Sequence, residues 1–400
     1  MELFSVVPDS HLSGLERSEF PQLNRDAVIY FDSASTALKP NNVIRSVHRT
    51  YHGISNVGRS GHRNAERVTS EFEQSREIIA SFMNCSSSEL IFSLNCTDSI
   101  NLICNGLQLS KKDRIIVSSL EHHSNLLPWL KVARVEFVDV NADGIIDLEH
   151  LDKLLMTPAK LVSICYVSNV TGNIQPVEKI CEIARKHGVI SLVDAAQAMG
   201  HISVDVRKIG CDVLAFSIHK AFGPSGVGGL FIRETVQKQV INFRVGGGMV
   251  DRVTAVGASY RSGPAKFEAG TPNIEGVIGA AAAFEFINSV GQERIEQHNR
   301  YLDTYLRSAI AGLDMIKLPF GFAPCRIPIV SMVFQGDVDI NWVSTVLSDS
   351  YDIAVNSGYQ CNQLLYNQYS LKGGLRVSLH MYNTIGEIDS LISALSDILY

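Results

Sequence analysis

Short apolar runs bounded by polar or glycine-bearing residues recur through the first part of the chain. The runs at 89–93, 113–118, 135–140, 161–167, 189–194, 212–217 and 229–233 are rich in branched aliphatic side chains. Runs of that length and composition predict buried strands. Between them, segments such as 99–107 and 177–187 carry apolar residues at helical spacing. Alternation of this kind predicts an α/β fold: a large, mixed but mostly parallel sheet with helices on both faces. From Glu275 the pattern changes. Two long helical segments (275–289 and 292–311) precede a strand at 328–334, a helix at 341–348, a strand at 375–380 and a closing helix at 384–399. This part predicts a smaller α+β domain. The expected division is a large domain over 24–285 and a small one built from 1–23 and 286–400. Gly246–Gly248 predicts a loop that is either mobile or closely packed.

Composition narrows the class. The chain has 400 residues, 46% of them hydrophobic and 19% charged, which is enough apolar surface for substantial cores. The formal net charge of −6 argues against nucleic acid as the main partner, since phosphate binding needs a basic excess. No apolar run approaches the ~20 residues of a membrane span, so no membrane association is expected. The first residues lack the basic start and apolar stretch of a secretory signal. The eight cysteines are scattered and form no C-x-x-C pair. The expectation is a reduced, cytoplasmic protein with no metal site and no disulfide framework.

One stretch carries chemistry. Ser217-Ile-His-Lys220 ends a predicted strand and leads into Ala-Phe-Gly-Pro-Ser-Gly226. A lysine at the end of a buried strand loses hydration, and desolvation favours the neutral amine that a Schiff base requires. The plain alternative is a surface lysine on a loop. Asp194 ends another predicted strand, 26 residues earlier. Carboxylates at strand C-termini face the ligand crevice of open α/β sheets. An anion there keeps a pyridine nitrogen protonated, as pyridoxal 5′-phosphate (PLP) needs; a helix cap is the alternative. Asn95-Cys96-Thr97-Asp98 stands before a predicted helix, where backbone N–H groups of Cys96 and its neighbours and the Thr97 hydroxyl suit either a phosphate or ordinary capping. Glu121-His122-His123-Ser124-Asn125 follows a further strand end. Adjacent histidines make a poor metal pair, so His122 suits stacking on a cofactor ring or acid–base work, or lies in a plain polar loop.

Together these motifs resemble the class V aminotransferase family of fold-type I PLP enzymes, and within it the group II cysteine desulfurases and selenocysteine lyases. The matching motifs run from Tyr30-Phe-Asp-Ser-Ala-Ser35 through Leu120-Glu-His-His-Ser-Asn125, Val167-Ser-Asn-Val-Thr-Gly172, Leu192-Val-Asp-Ala-Ala-Gln197, Ser217-Ile-His-Lys220 and Phe267-Glu-Ala-Gly-Thr-Pro-Asn273 to Met381-Tyr-Asn-Thr384. The resemblance implies that Lys220 holds PLP, Asp194 pairs with the ring nitrogen, Gln197 approaches the ring oxygen and His122 stacks over the ring. It implies that Thr97, Ser217 and His219 hold the phosphate, with Thr271 reaching in from a second subunit of a homodimer. Asn169 lies near ring and substrate, and Arg376 binds the substrate carboxylate.

Cys361 discriminates within the family. It stands 15 residues before Arg376, in Asn356-Ser-Gly-Tyr-Gln-Cys361, where the resemblance places the sulfur-accepting nucleophile. The surroundings depart from the family's usual Arg-Thr-Gly-His-His-Cys. Asn356, Tyr359 and Gln360 replace one arginine and two histidines, and Gly58 replaces a histidine in Asn56-Val-Gly-Arg59. The expected reaction is desulfuration of L-cysteine, with a persulfide on Cys361, release of L-alanine, and transfer of sulfur to an acceptor protein for iron–sulfur or other biosynthesis. The rivals are a lyase for L-selenocysteine or a C–S bond, or an epimerase-like relative, none using Cys361, and a PLP-binding protein without activity.

Overall fold

The computed structural model describes residues 14–25, 28–53, 55–321 and 323–400; residues 1–13 of the expected small domain lie outside them. The predicted strands form one seven-stranded sheet: β1 (Leu90–Ser93), β2 (Arg114–Ser118), β3 (Arg134–Val138), β4 (Leu161–Cys165), β5 (Ile190–Asp194), β6 (Val213–Ser217) and β7 (Gly228–Ile232). Their order is β1-β7-β6-β5-β4-β2-β3, and only β7 runs antiparallel to its neighbours. Helices cover both faces, which is why β4, β6 and β7 are buried at every position and read as near-continuous apolar runs, interrupted by Ser163 and ending in Ser217, rather than alternating ones. Gly229 of β7 packs under Phe216 of β6: a Cβ there would fall 2.0 Å from the ring, so no other residue fits.

The strand order reverses between β2 and β4. The chain moves outward from β2 to β3, then returns past β2 to β4 and proceeds the other way to β5 and β6. Loops leaving the C-terminal ends of β2 and β4 therefore part, and an open sheet binds its ligand in such a crevice.

The second part of the chain builds a four-stranded antiparallel sheet in the order Ile316–Lys317, Ile329–Phe334, Gly374–Ser378, Asn356–Gly358. The helices Gln292–Ile310, Ile340–Tyr351 and Ile385–Leu399 pack on it through a core that includes Leu302, Leu347, Val377 and Leu391. The last of these helices starts where its sequence says. The Thr384 hydroxyl accepts from Glu387 N (3.2 Å), and the Glu387 carboxylate accepts from Thr384 N (3.0 Å), a reciprocal cap.

Several features were not expected from the pattern. Helices Asn41–Tyr51 and Arg63–Phe82 pack against Ile274–Val290, an Ala- and Gly-rich helix buried along most of its length. Ile29–Tyr30 pairs in parallel with Ile353–Ala354, and Asp32 bridges to Ser378, so this early segment is stitched to the second sheet. An exposed hairpin joins Val250–Thr254 to Gly257–Tyr260. The Gly246–Gly248 loop is held by contacts: Gly247 O accepts from Gly270 N (2.8 Å) and from Arg59 (3.3 Å). No single helix among the described residues is long and apolar enough to cross a membrane.

Candidate active site

The C-terminal ends of β4, β5 and β6 and the start of the helix Cys96–Gly106 surround a cavity of about 260 Å³. That helix begins at Cys96, three residues earlier than the apolar spacing predicts, because the Asn95 side chain caps it by accepting from Asp98 N (2.9 Å). Cys96 and Thr97 thus occupy its first turn, where N–H groups lack helical partners; Cys96 N is taken up by Ser217 Oγ, and Thr97 N has no partner among the described residues. Nine of the residues singled out by sequence line this one cavity. They are Cys96, Thr97 and His122, Asn169, Asp194 and Gln197, and Ser217, His219 and Lys220.

Lys220 ends the single turn Ile218–Lys220 that follows β6. Its side chain faces the cavity, and its amine has no hydrogen bond or ion pair among the described residues. Desolvation pushes its pKa down, and Arg376 adds to the shift, against the opposing pull of Asp194, Cys96 and Asp32. An uncharged amine with a free lone pair is thereby favoured.

Asp194 is 5% exposed. Its Oδ1 accepts from Ala196 N (2.9 Å) and from the Cys96 thiol (3.2 Å). Its Oδ2 accepts from no described residue, and no helix follows for it to cap. Burial raises its pKa, while the bonds from Ala196 and Cys96 and the nearness of Lys220 oppose that shift. A buried carboxylate with one open oxygen calls for a cationic or N–H partner in the cavity. Gln197 beside it donates to Ala34 O (2.9 Å).

On another side the donors suit an anion. Ser217 Oγ accepts from Cys96 N (2.9 Å), and Thr97 Oγ1 lies 2.7 Å from Ser124 Oγ. The His219 ring contacts Thr36 Oγ1 (3.2 Å), and Lys39 donates to Thr36 Oγ1 (2.8 Å) and His219 O (3.1 Å). Burial lowers Lys39 to about 8 and, with help from Lys220 and Lys39, His219 to about 4. Hydroxyls, an imidazole, helix N–H groups and the open Asp194 oxygen are the donors and acceptor that PLP requires, and the residues fit that group.

His122 Nδ1 accepts from Ser124 N (3.1 Å), which leaves the proton on Nε2. Burial, reinforced by Lys220, His123 and Arg376, lowers its pKa to about 3, so the ring is neutral at physiological pH. Beneath the same loop lies Glu121, which the sequence did not single out. The buried Glu121 carboxylate accepts from Ser118 Oγ (2.6 Å) and Asn125 Nδ2 (2.6 Å), and Asn125 Oδ1 in turn accepts from Trp129 Nε1 (3.2 Å) and Ser163 Oγ (2.6 Å). Burial lifts its pKa to about 7. This network sets the position of the turn that presents His122.

Three singled-out residues do not line the cavity. Arg376, 3% exposed, stands beside it on the strand Gly374–Ser378. Its Nη1 donates to Asn169 O (3.1 Å), and its Nη2 donates to Asp32 Oδ1 (2.9 Å) and Ser35 Oγ (2.8 Å). Its Nε is buried and has no partner among the described residues. Asp32 and Ser35 were missed as site residues, although both sit in the Tyr30–Ser35 motif. Cys361 is exposed on its loop, and its carbonyl accepts from His123 N (2.9 Å), next to His122. Thr271 lines a separate cavity of about 330 Å³, where Arg59 donates to its hydroxyl (3.2 Å). Within one chain it does not meet Lys220.

Residues 29–391 match the family Aminotransferase class-V. The chain is 36% identical to a probable cysteine desulfurase of Xylella fastidiosa (strain 9a5c), covering 95% of this chain and 94% of that protein. It is 35% identical to a cysteine desulfurase of Enterobacter sp. (strain 638), covering 96% and 97%. Among solved structures it resembles the apo cysteine desulfurase from Thermococcus onnurineus NA1, with a TM-score of 0.91, 33% identity and 98% of each chain covered. It also resembles the cysteine desulfurase CsdA (S-sulfonic acid) from Escherichia coli, with a TM-score of 0.89, 33% identity and coverage of 96% and 97%. With a crevice, a lysine and a carboxylate placed as the motifs predict, and with likeness along nearly its whole length, the chain belongs to the class V aminotransferase family.

Proposed function

We propose that this chain is a PLP-dependent cysteine desulfurase. The observation that carries the reading is the unpartnered Lys220 amine in one cavity with the half-open Asp194 carboxylate, beside a loop that presents Cys361. Bound PLP supplies an electron sink for the substrate carbanion. Lys220 would hold the cofactor through its amine, whose neutral form burial favours, and would move the substrate α-proton. Asp194 would hold the proton on the ring nitrogen, and the neutral His122 ring would stack on the cofactor. The first-turn amide of Thr97, the hydroxyls of Thr97 and Ser217, and His219 would hold the phosphate, with Cys96 N bonded to Ser217 Oγ beside them. Gln197 would approach the ring oxygen, and Asn169 would lie near ring and substrate. Arg376 binds the substrate carboxylate, for which a guanidinium is suited.

Cys361 as thiolate attacks the substrate sulfur. The S–S bond forms as the Cβ–S bond breaks, and the carbon fragment takes up a proton and leaves as L-alanine. The persulfide then passes to the thiol of an acceptor protein, in iron–sulfur cluster or other sulfur biosynthesis. In the same reading the chain is a cytoplasmic homodimer, Thr271 completes the phosphate site of the partner subunit, and the large unit is 24–285, with 1–23 and 286–400 forming the small one.

Mass spectrometry after brief turnover of L-cysteine tests this. One added sulfur is expected on the peptide containing Cys361. Alanine formation with no added sulfur would instead favour a C–S or C–Se lyase, a reading that the neutral side chains of Asn356, Tyr359 and Gln360 around the loop support. A second test addresses Asp194. Asp194→Asn keeps an oxygen for Ala196 N and Cys96 but loses the anion. PLP should still attach to Lys220, while turnover should fall on the order of 10²–10³-fold, the range for removing one preorganised electrostatic partner. Turnover near wild type would make Asp194 a structural residue.

A further inference from the structure

We propose that Gln360 is a positioning residue that holds Cys361 in place and ties that placement to the carboxylate-binding Arg376. This rests on the desulfurase reading above. The Gln360 carbonyl accepts from Asn169 Nδ2 (2.8 Å), and Asn169 O accepts from Arg376 Nη1 (3.1 Å). On its other side the Gln360 side chain is gripped at both ends. Its Oε1 accepts from the buried Tyr366 hydroxyl, and its Nε2 donates to Gly374 O (3.1 Å) and Asn356 Oδ1 (3.4 Å). Asn356 stands opposite Arg376 in the sheet register and reaches Ser35 Oγ (3.4 Å), which itself accepts from Arg376 Nη2 (2.8 Å). The bonds close a ring: Arg376, Asn169, Gln360, Asn356, Ser35 and back to Arg376.

The backbone explains why such a ring is needed. Gln360 and Cys361 both adopt left-handed conformations, with φ of +44° and +56°. Residues with a Cβ avoid that region, and two in succession persist only where surrounding contacts over-determine them. Cys361 itself is exposed, and the described residues give its side chain no hydrogen bond. Its placement therefore depends on its neighbours: Gln360 makes four bonds on one side, and Asn362 on the other donates to Tyr359 O (2.8 Å) and Leu120 O (2.9 Å) and accepts from Leu365 N (3.3 Å). A substrate carboxylate arriving at Arg376 meets the same guanidinium that anchors Asn169 and Ser35, so occupation of that site is felt at the loop.

The test uses full-length PLP-loaded enzyme carrying Gln360→Ala or, separately, Tyr366→Phe, which removes one grip on Gln360 and keeps the ring packed. Neither residue lines the Lys220 cavity, so cofactor absorbance should match wild type. Hydrogen exchange in 356–362 without substrate should quicken in Gln360→Ala. Alanine formation should show kcat lowered ~10- to 100-fold, the scale for a displaced reacting group, with KM for L-cysteine nearly unchanged. Tyr366→Phe should show the same pattern in smaller degree. Wild-type exchange with wild-type kcat would overturn the proposal, as would a raised KM with kcat intact. Cys361→Ser in the same assay separates the two ideas. Were that variant fully active, the desulfurase reading would fall, and exchange at 356–362 alone would decide whether Gln360 holds the loop.

Discussion

Lys220→Ala should abolish covalent attachment of the cofactor and lower alanine formation by at least ~10²–10⁴-fold, the share a positioned proton-transfer group contributes. The argument starts from burial. The Lys220 amine sits in the cavity with no partner among the described residues, and desolvation favours its neutral form. Only a neutral amine is a nucleophile toward a carbonyl, so the depressed pKa is the condition for an imine. Alanine removes the amine, whereas Asp194, Ser217 and the first turn at Cys96 keep their bonds to one another. The phosphate site and the carboxylate should therefore still retain PLP non-covalently. Borohydride reduction followed by peptide mapping reads the difference: pyridoxyl label on the Lys220 peptide in wild type and no label in the variant. Label on any other lysine of the wild-type protein would refute the assignment.

Cys361→Ser is expected to bind L-cysteine and keep the cofactor, yet form alanine roughly 10²-fold more slowly or worse, because a hydroxyl is far weaker than a thiolate as a nucleophile toward sulfur. None of the groups assigned to binding is disturbed. Arg376 keeps its three bonds to Asn169, Asp32 and Ser35, and His123 bonds the Cys361 backbone rather than its side chain. The variant should thus show a near-normal spectral response to cysteine and carry no added sulfur. Brief alkylation of the wild type should reproduce the loss, since Cys361 is exposed while five of the other cysteines are buried. A serine variant that releases alanine at the wild-type rate would move the assignment to a lyase whose leaving group departs without a protein nucleophile.

Much of this molecule was written locally. The strands of the large sheet were legible because a strand covered on both faces is mostly apolar, and β4, β6 and β7 are buried at every position with only Ser163 and Ser217 polar among them. Strand ends carry the chemistry in such sheets, so Asp194 and Lys220 could be picked out from their places after apolar runs, Ser217 only through the family resemblance, and the closing helix through its apolar spacing. Boundaries were less legible. The helix at Cys96 starts three residues early because a side-chain cap on Asn95 outweighs apolar spacing. What the chain alone left open is what distant segments do to one another. Asp32 meets Arg376 across 344 positions, and Asn169 meets Gln360 across 191. No periodicity encodes such a pairing, which arises only when two sheets pack and their loops share a crevice. The replaced residues Asn356 and Gln360 looked in sequence like losses of charge. Folded, they are hydrogen-bonded members of a ring around Arg376, because a polar side chain takes its meaning from the groups that tertiary structure brings within 3 Å or so of it.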